Sequence, residues 1–177
     1  MARVRYIPTP EIQAAEPALH HRLQTERKVP TANIFLALAN TPSILDAFLT
    51  YANAIRTSEL SPKLRELAIL TVGHAVNSEY EISHHHSHGL KAGISEAQLA
   101  AIPAFETSDI FNDEERAVMA FAKDSTLHVD VDQAIWDRAA SLLSERQMVE
   151  LTLNVAWYNS GVRIMGALKI DVEDSHR

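Results

Sequence analysis

The chain contains no cysteine. That absence excludes disulfides, thiolate metal ligands and every reaction that needs a thiol nucleophile. Long apolar runs are missing as well. Nothing approaches the ~20 consecutive residues that a membrane-spanning helix requires, so no membrane partner is expected. Glycine is scarce, with five among 177 residues, and alternating apolar–polar stretches are few, which argues against strands and tight turns. Positive charge is in deficit: 16 Lys and Arg stand against 23 Asp and Glu, a net charge of −7. Such a chain does not attract a polyanion, so nucleic acid is not an expected partner. The opening stretch "MARVRYIPTPE" lacks the apolar core and small-residue cleavage site of a secretory leader, so the expected location is cytoplasmic.

What is present reads as helix. Leu, Ala, Glu and Ile recur at three- and four-residue spacing, and an apolar fraction of 46% is enough for a folded core. Residues 10–27 are expected to form a first helix and 31–40 a short second one. Thr41 with Pro42, and Ser61 with Pro62, pair an N-cap residue with a proline at the first helical position. The helix from Ser61 carries Leu64, Leu67, Ala68, Thr71 and Val72, widened by Ile69 and Leu70, and a stripe that wide predicts burial on more than one side. Another helix is expected over Ser78–Lys91, stopped at Gly93. Ser95 with Gln98, Asn112 with Glu115 and Ser144 with Gln147 read as capping boxes for later helices. The expected class is all-α in a single domain over 1–177, with a helical lead-in at 1–59, a core at 60–170 and roughly eight helices. Residues 104–112 are expected to be a loop and the tail 172–177 to fray. "LRELAIL" and "MVELTLN" set Glu66 and Glu150 in equivalent places, a faint internal echo.

Four of the nine histidines fall in "SHHHSH", and helical spacing sorts them. Ser78, Glu81 and His85 share one face. Tyr80, His84 and His88 share a neighbouring one, and His86 points elsewhere. Glu81 beside His85 is an acid–base pair if partly buried, and an ordinary surface pair if not. His84 and His88 have the i,i+4 spacing of zinc ligands but need a third group, and no metal or other cofactor is expected. Glu66 lies within an apolar stretch, where a carboxylate needs a partner. Arg65, Arg163 or a histidine of the next helix are the candidates, the plain alternative being a rim residue held by Lys63 or Arg65.

The string from Leu60, "LSPKLRELAILTVGHAVNSEYEISHHHSHGLKAGISEAQLAAI", resembles the carboxymuconolactone decarboxylase family, which includes the AhpD-type alkylhydroperoxidases. "VELTLNVAWYNSGVRIMGAL" resembles its closing helix. The resemblance implies an AhpD-like all-α fold with a duplicated helical hairpin, assembled as a homo-oligomer such as a trimer or hexamer. The peroxidase branch pairs a glutamate on one helix with C-x-x-C-x-x-x-H on the next. Here those positions are Glu66, Ser78, Glu81 and His85, so glutamate and histidine remain while both thiols are gone. What remains resembles the cofactor-free decarboxylase-like branch, acting on a small lactone or aromatic-derived carboxylic acid. On that reading His85, Glu66 and Glu81 carry the proton chemistry. Ser78, Tyr80 and His84 would bond the substrate, Trp157 and Tyr158 would wall the pocket, and Arg163 would bind a carboxylate. Two other readings stay open: a non-catalytic oligomeric binding protein, and a metal-dependent enzyme using the histidine cluster.

Overall fold

The computed structural model describes residues 2–27 and 31–173, so most of the tail expected to fray, 174–177, lies outside the described residues. Among them there are ten α-helices and no strands. The contacts divide the chain into two compact units: Met1–Thr57 with Ile164–Arg177, and Ser58–Arg163.

The first unit holds α1 (Thr9–Ala15), α2 (Pro17–Arg22), α3 (Asn33–Leu38) and α4 (Pro42–Ala54). The single helix expected over 10–27 is broken. Glu16 precedes Pro17, and a proline ring pushes the residue before it out of the helical region; Glu16 sits at φ −136°, ψ 65°. After α2 the chain continues as a π-turn over Leu23–Arg27. The unit's core gathers Ile12, Leu19, Leu23, Phe35, Leu45 and Leu49. Pro42 opens α4 as expected, but Thr41 makes no side-chain cap; its hydroxyl donates back to the Leu38 carbonyl at 3.2 Å.

The second unit holds α5 (Pro62–Ala75), α6 (Glu79–Lys91), α7 (Glu96–Ala101), α8 (Asp113–His128) and α9 (Gln133–Ala140). The last helix, α10 (Glu145–Leu168), begins in this unit and ends in the first. Ser61 accepts from the Leu64 amide, and the three reciprocal boxes anticipated at Ser95/Gln98, Asn112/Glu115 and Ser144/Gln147 are all formed. α5 is buried nearly all round, from Leu64 and Leu67 through Gly73, because it packs against both α6 and α8. Lys63 reaches the buried Glu115 carboxylate at 2.6 Å, and Gln98 donates to the same carboxylate at 3.3 Å, joining α5, α7 and α8.

α5 and α6 form a tight hairpin. α5 stops because Asn77 takes a left-handed conformation (φ 53°), one that asparagine tolerates better than most residues. The Ser78 amide then donates to the Gly73 carbonyl at 2.8 Å, closing the helix end. At Gly73 the two helices approach closely: a Cβ there would stand 3.2 Å from Ile82 Cγ1 and 3.3 Å from Glu81 Cβ.

Candidate active site

The hairpin brings Glu66 of α5 and Glu81 and His85 of α6 together. His85 Nδ1 lies 2.7 Å from Glu66 Oε2, and His85 Nε2 lies 3.1 Å from Glu81 Oε1. The three side chains are largely shielded, at 15%, 6% and 13% exposure for Glu66, Glu81 and His85. Burial by itself would push the imidazolium toward losing its proton. Hydrogen bonds to Glu66 and Glu81, with the charges of both, outweigh that and raise the His85 pKa from 6.5 to about 10. At neutral pH His85 is therefore an imidazolium held between two carboxylates. Lys63 is committed to Glu115, and Arg65 donates to Ser58 Oγ at 3.0 Å, so the proposed rim partners turn away and the histidine takes their place.

A shallow open cleft of about 280 Å³ borders this unit, lined by Pro62, Glu66, His88, Lys91 and Ala92. Glu66 thus belongs both to the cleft and to the His85 hydrogen bond, whereas His85 is not a lining residue. The Tyr158 ring of α10 meets the His85 ring edge-on, 5.0 Å between centroids. Packing of this kind keeps water off the imidazole and fixes its plane.

The other expected site residues are distributed differently. Ser78 is the N-cap of α6 and accepts from the Glu81 amide at 3.4 Å, which occupies its hydroxyl in holding the helix. Tyr80 is buried and stacks on His84, centroids 4.3 Å apart and 10° from parallel. His88, assigned by spacing to the face of Tyr80 and His84, also has its ring 5.2 Å from that of His85. His86 turns to Glu96 at 3.4 Å. Trp157 is half-buried on α10, next to the Tyr158 that packs on His85. Arg163 is exposed and bonds Asn159 of its own helix, 2.6 Å to Oδ1, and lies outside the cleft lining. Glu150, the echo of Glu66, accepts from the Glu59 and Leu60 amides at 2.8 and 3.0 Å and pairs with Arg146, so the repeated glutamate serves as a backbone anchor there.

One donor atom from each of Glu66, His85 and His88 lies within 4.8 Å of the others, a grouping that the spacing along α6 alone does not reveal. Both ring nitrogens of His85 are engaged by carboxylates, so as arranged the group holds a proton and offers no free imidazole lone pair.

Comparison with known proteins agrees with this architecture. The model of the Carboxymuconolactone decarboxylase family matches residues 42–124, a segment that contains Glu66, Glu81 and His85. No curated protein matches the chain. Among solved structures, a cysteine-to-alanine variant of the debrominase Bmp8 in complex with 2,3,4-tribromopyrrole shares the fold, with a TM-score of 0.84 at 22% identity, covering 98% of this chain and 93% of that one. An uncharacterized peroxidase-related protein from Silicibacter sp. TM1040 has a TM-score of 0.83 at 16% identity, with 99% and 93% coverage. An uncharacterized peroxidase-related protein from Ralstonia eutropha JMP134, described as an alkylhydroperoxidase AhpD core, has a TM-score of 0.82 at 18% identity, with 97% and 93% coverage. The fold is AhpD-like. No helix among the described residues is long and apolar enough to cross a membrane.

Proposed function

We propose that the protein is a cofactor-independent enzyme of decarboxylase or lyase type, acting on a small lactone or aromatic-derived carboxylic acid through Glu66, His85 and Glu81. The family and the debrominase neighbour point to enzymatic activity in general. The carrying observation is the buried imidazolium between two carboxylates, one of which opens onto a cleft. Without cysteine the chain has no route to dithiol peroxide reduction.

In the proposed reaction the bond between the substrate carbon and its carboxylate breaks, and the electron pair moves into a conjugated carbonyl to give an enolate. The carbon then takes a proton, and carbon dioxide leaves. Glu66, facing the cleft, passes that proton from His85 Nδ1, while Glu81 on Nε2 keeps the ring oriented and supports its charge. A small homo-oligomer acting in the cytoplasm is part of the same reading.

The test is a panel of unsaturated lactone acids and aromatic acids, followed by carbon dioxide release. On the substrate found, His85→Ala should cost at least the ~10²-fold typical of a lost proton donor while leaving the fold intact, and Glu66→Gln should be similarly harmful. Full activity in His85→Ala would end this reading.

A further inference from the structure

The acid–base unit poses a supply problem. Glu81 is buried and His85 largely shielded, both ring nitrogens of His85 are engaged by carboxylates, and the Tyr158 ring packs against the imidazole. A proton given to a substrate must be replaced from water, and both nitrogens of His85 are already engaged.

His88 stands where a path from water would run. It follows His85 by three residues on α6, is exposed to solvent, and lines the same cleft as Glu66. The two histidine rings are 5.2 Å apart and tilted by 53°, and a donor atom of His88 lies within 4.8 Å of donor atoms of both Glu66 and His85. One bridging water, or a small rotation of an exposed side chain, closes that gap. Of the cleft residues only His88 combines exposure with an imidazole, the side chain best suited to gaining and losing protons near neutral pH.

We infer that His88 is the group through which the Glu66–His85–Glu81 unit exchanges its proton with water. The transfer balances in three moves. Protonated His88 gives a proton through water to the Glu66 carboxylate, Glu66 gives one to His85 Nδ1, and neutral His88 takes a proton from solvent. The inference rests on the proton-carrying role proposed above, but its measurement needs no substrate.

In protein labelled with nitrogen-15 at histidine, the proton between Glu66 and His85 Nδ1 can be followed by NMR and its exchange with water timed from line width and saturation transfer. His88→Gln should slow that exchange by about 10²-fold, the low end of what a positioned proton-transfer group contributes. Free imidazole, entering the open cleft, should restore it. His86→Gln, which alters an exposed histidine directed at Glu96, should leave the rate unchanged. Exchange as fast in His88→Gln as in the parent, equal slowing by His86→Gln, or no recovery with imidazole would each overturn the inference. Any of these would leave the acid–base reading standing, since that is decided by turnover in His85→Ala, a separate measurement.

Discussion

Replacing Glu66 by glutamine tests the electrostatics of the centre directly. The change keeps the shape of the side chain and removes one of the two charges that hold the proton on His85. The parent His85 is raised from 6.5 to about 10, against the opposing effect of burial, by hydrogen bonds to Glu66 and Glu81 and by their charges. The Glu66 contact, at 2.7 Å, is the shorter of the two. A hydrogen bond to a charged group contributes about 1.5–3 kcal/mol. At 1.36 kcal/mol per pKa unit, its loss should lower the His85 midpoint by about one to two units, to about 8–9. The same linkage predicts a pH-dependent stability. A histidine whose folded pKa is raised contributes fully below its unfolded value and loses that contribution as pH climbs through the folded value. The stability advantage of the parent over Glu66→Gln should therefore stay level as pH rises through 6.5, where both proteins begin to lose the contribution in parallel, and shrink only from the variant midpoint of about 8–9 to about 10. Histidine NMR titration gives the midpoints, and urea unfolding at several pH values gives the stabilities. A parent His85 titrating near 6.5, or an unchanged midpoint in Glu66→Gln, would refute the reasoning.

Gly73→Ala gains up to about 1 kcal/mol of helix propensity but overpacks the hairpin, which costs about 1–3 kcal/mol. With Glu81 Cβ and Ile82 Cγ1 at 3.3 and 3.2 Å, the expected net result is a lower urea midpoint and a weaker Glu81–His85 contact. Light scattering at micromolar concentration should give a mass at least twice 19.7 kDa, because Val149 and Leu153 leave apolar surface open on α10; a clean monomer would contradict this. Elemental analysis of dialysed, tag-free protein should find no stoichiometric transition metal, since carboxylates occupy both nitrogens of His85; one zinc per chain, lost in His88→Gln, would reverse that expectation. Asn154 Nδ2 is a buried side-chain donor without a partner, so Asn154→Leu should leave the melting temperature level or raised; a clear fall would mean that the donor is satisfied in solution.

Local sequence rules carried the second unit far. Its helix starts were legible because serine and asparagine caps, with glutamine or glutamate three residues on, satisfy end amides through contacts within one turn. Glu81 and His85 were legible for the same reason, being one turn apart on one helix. What spacing could not supply was anything decided between elements. Glu66 joins His85 because α5 and α6 are antiparallel and close at Gly73, while Lys63 is drawn off by Glu115 on α8. That His88 also approaches the His85 ring did not follow from sorting the helix into i,i+4 rows, although residues three apart on a helix are neighbours too. The break at Pro17 was readable, and the apolar periodicity over 10–27 masked it. Glu150 shows the reverse error, a sequence echo without a chemical one.

All three members of the proton-holding unit lie between positions 66 and 85, on two helices joined by a tight turn. In chain terms their contacts are local, and local contacts form early and at small loop-closure cost. The cover is another matter: Tyr158 arrives from α10, far along the sequence. The donors and their shield are thus separately mutable. Substitutions along α10 can alter how much water reaches His85, and with it how firmly the imidazolium keeps its proton, without changing the residues that hold it.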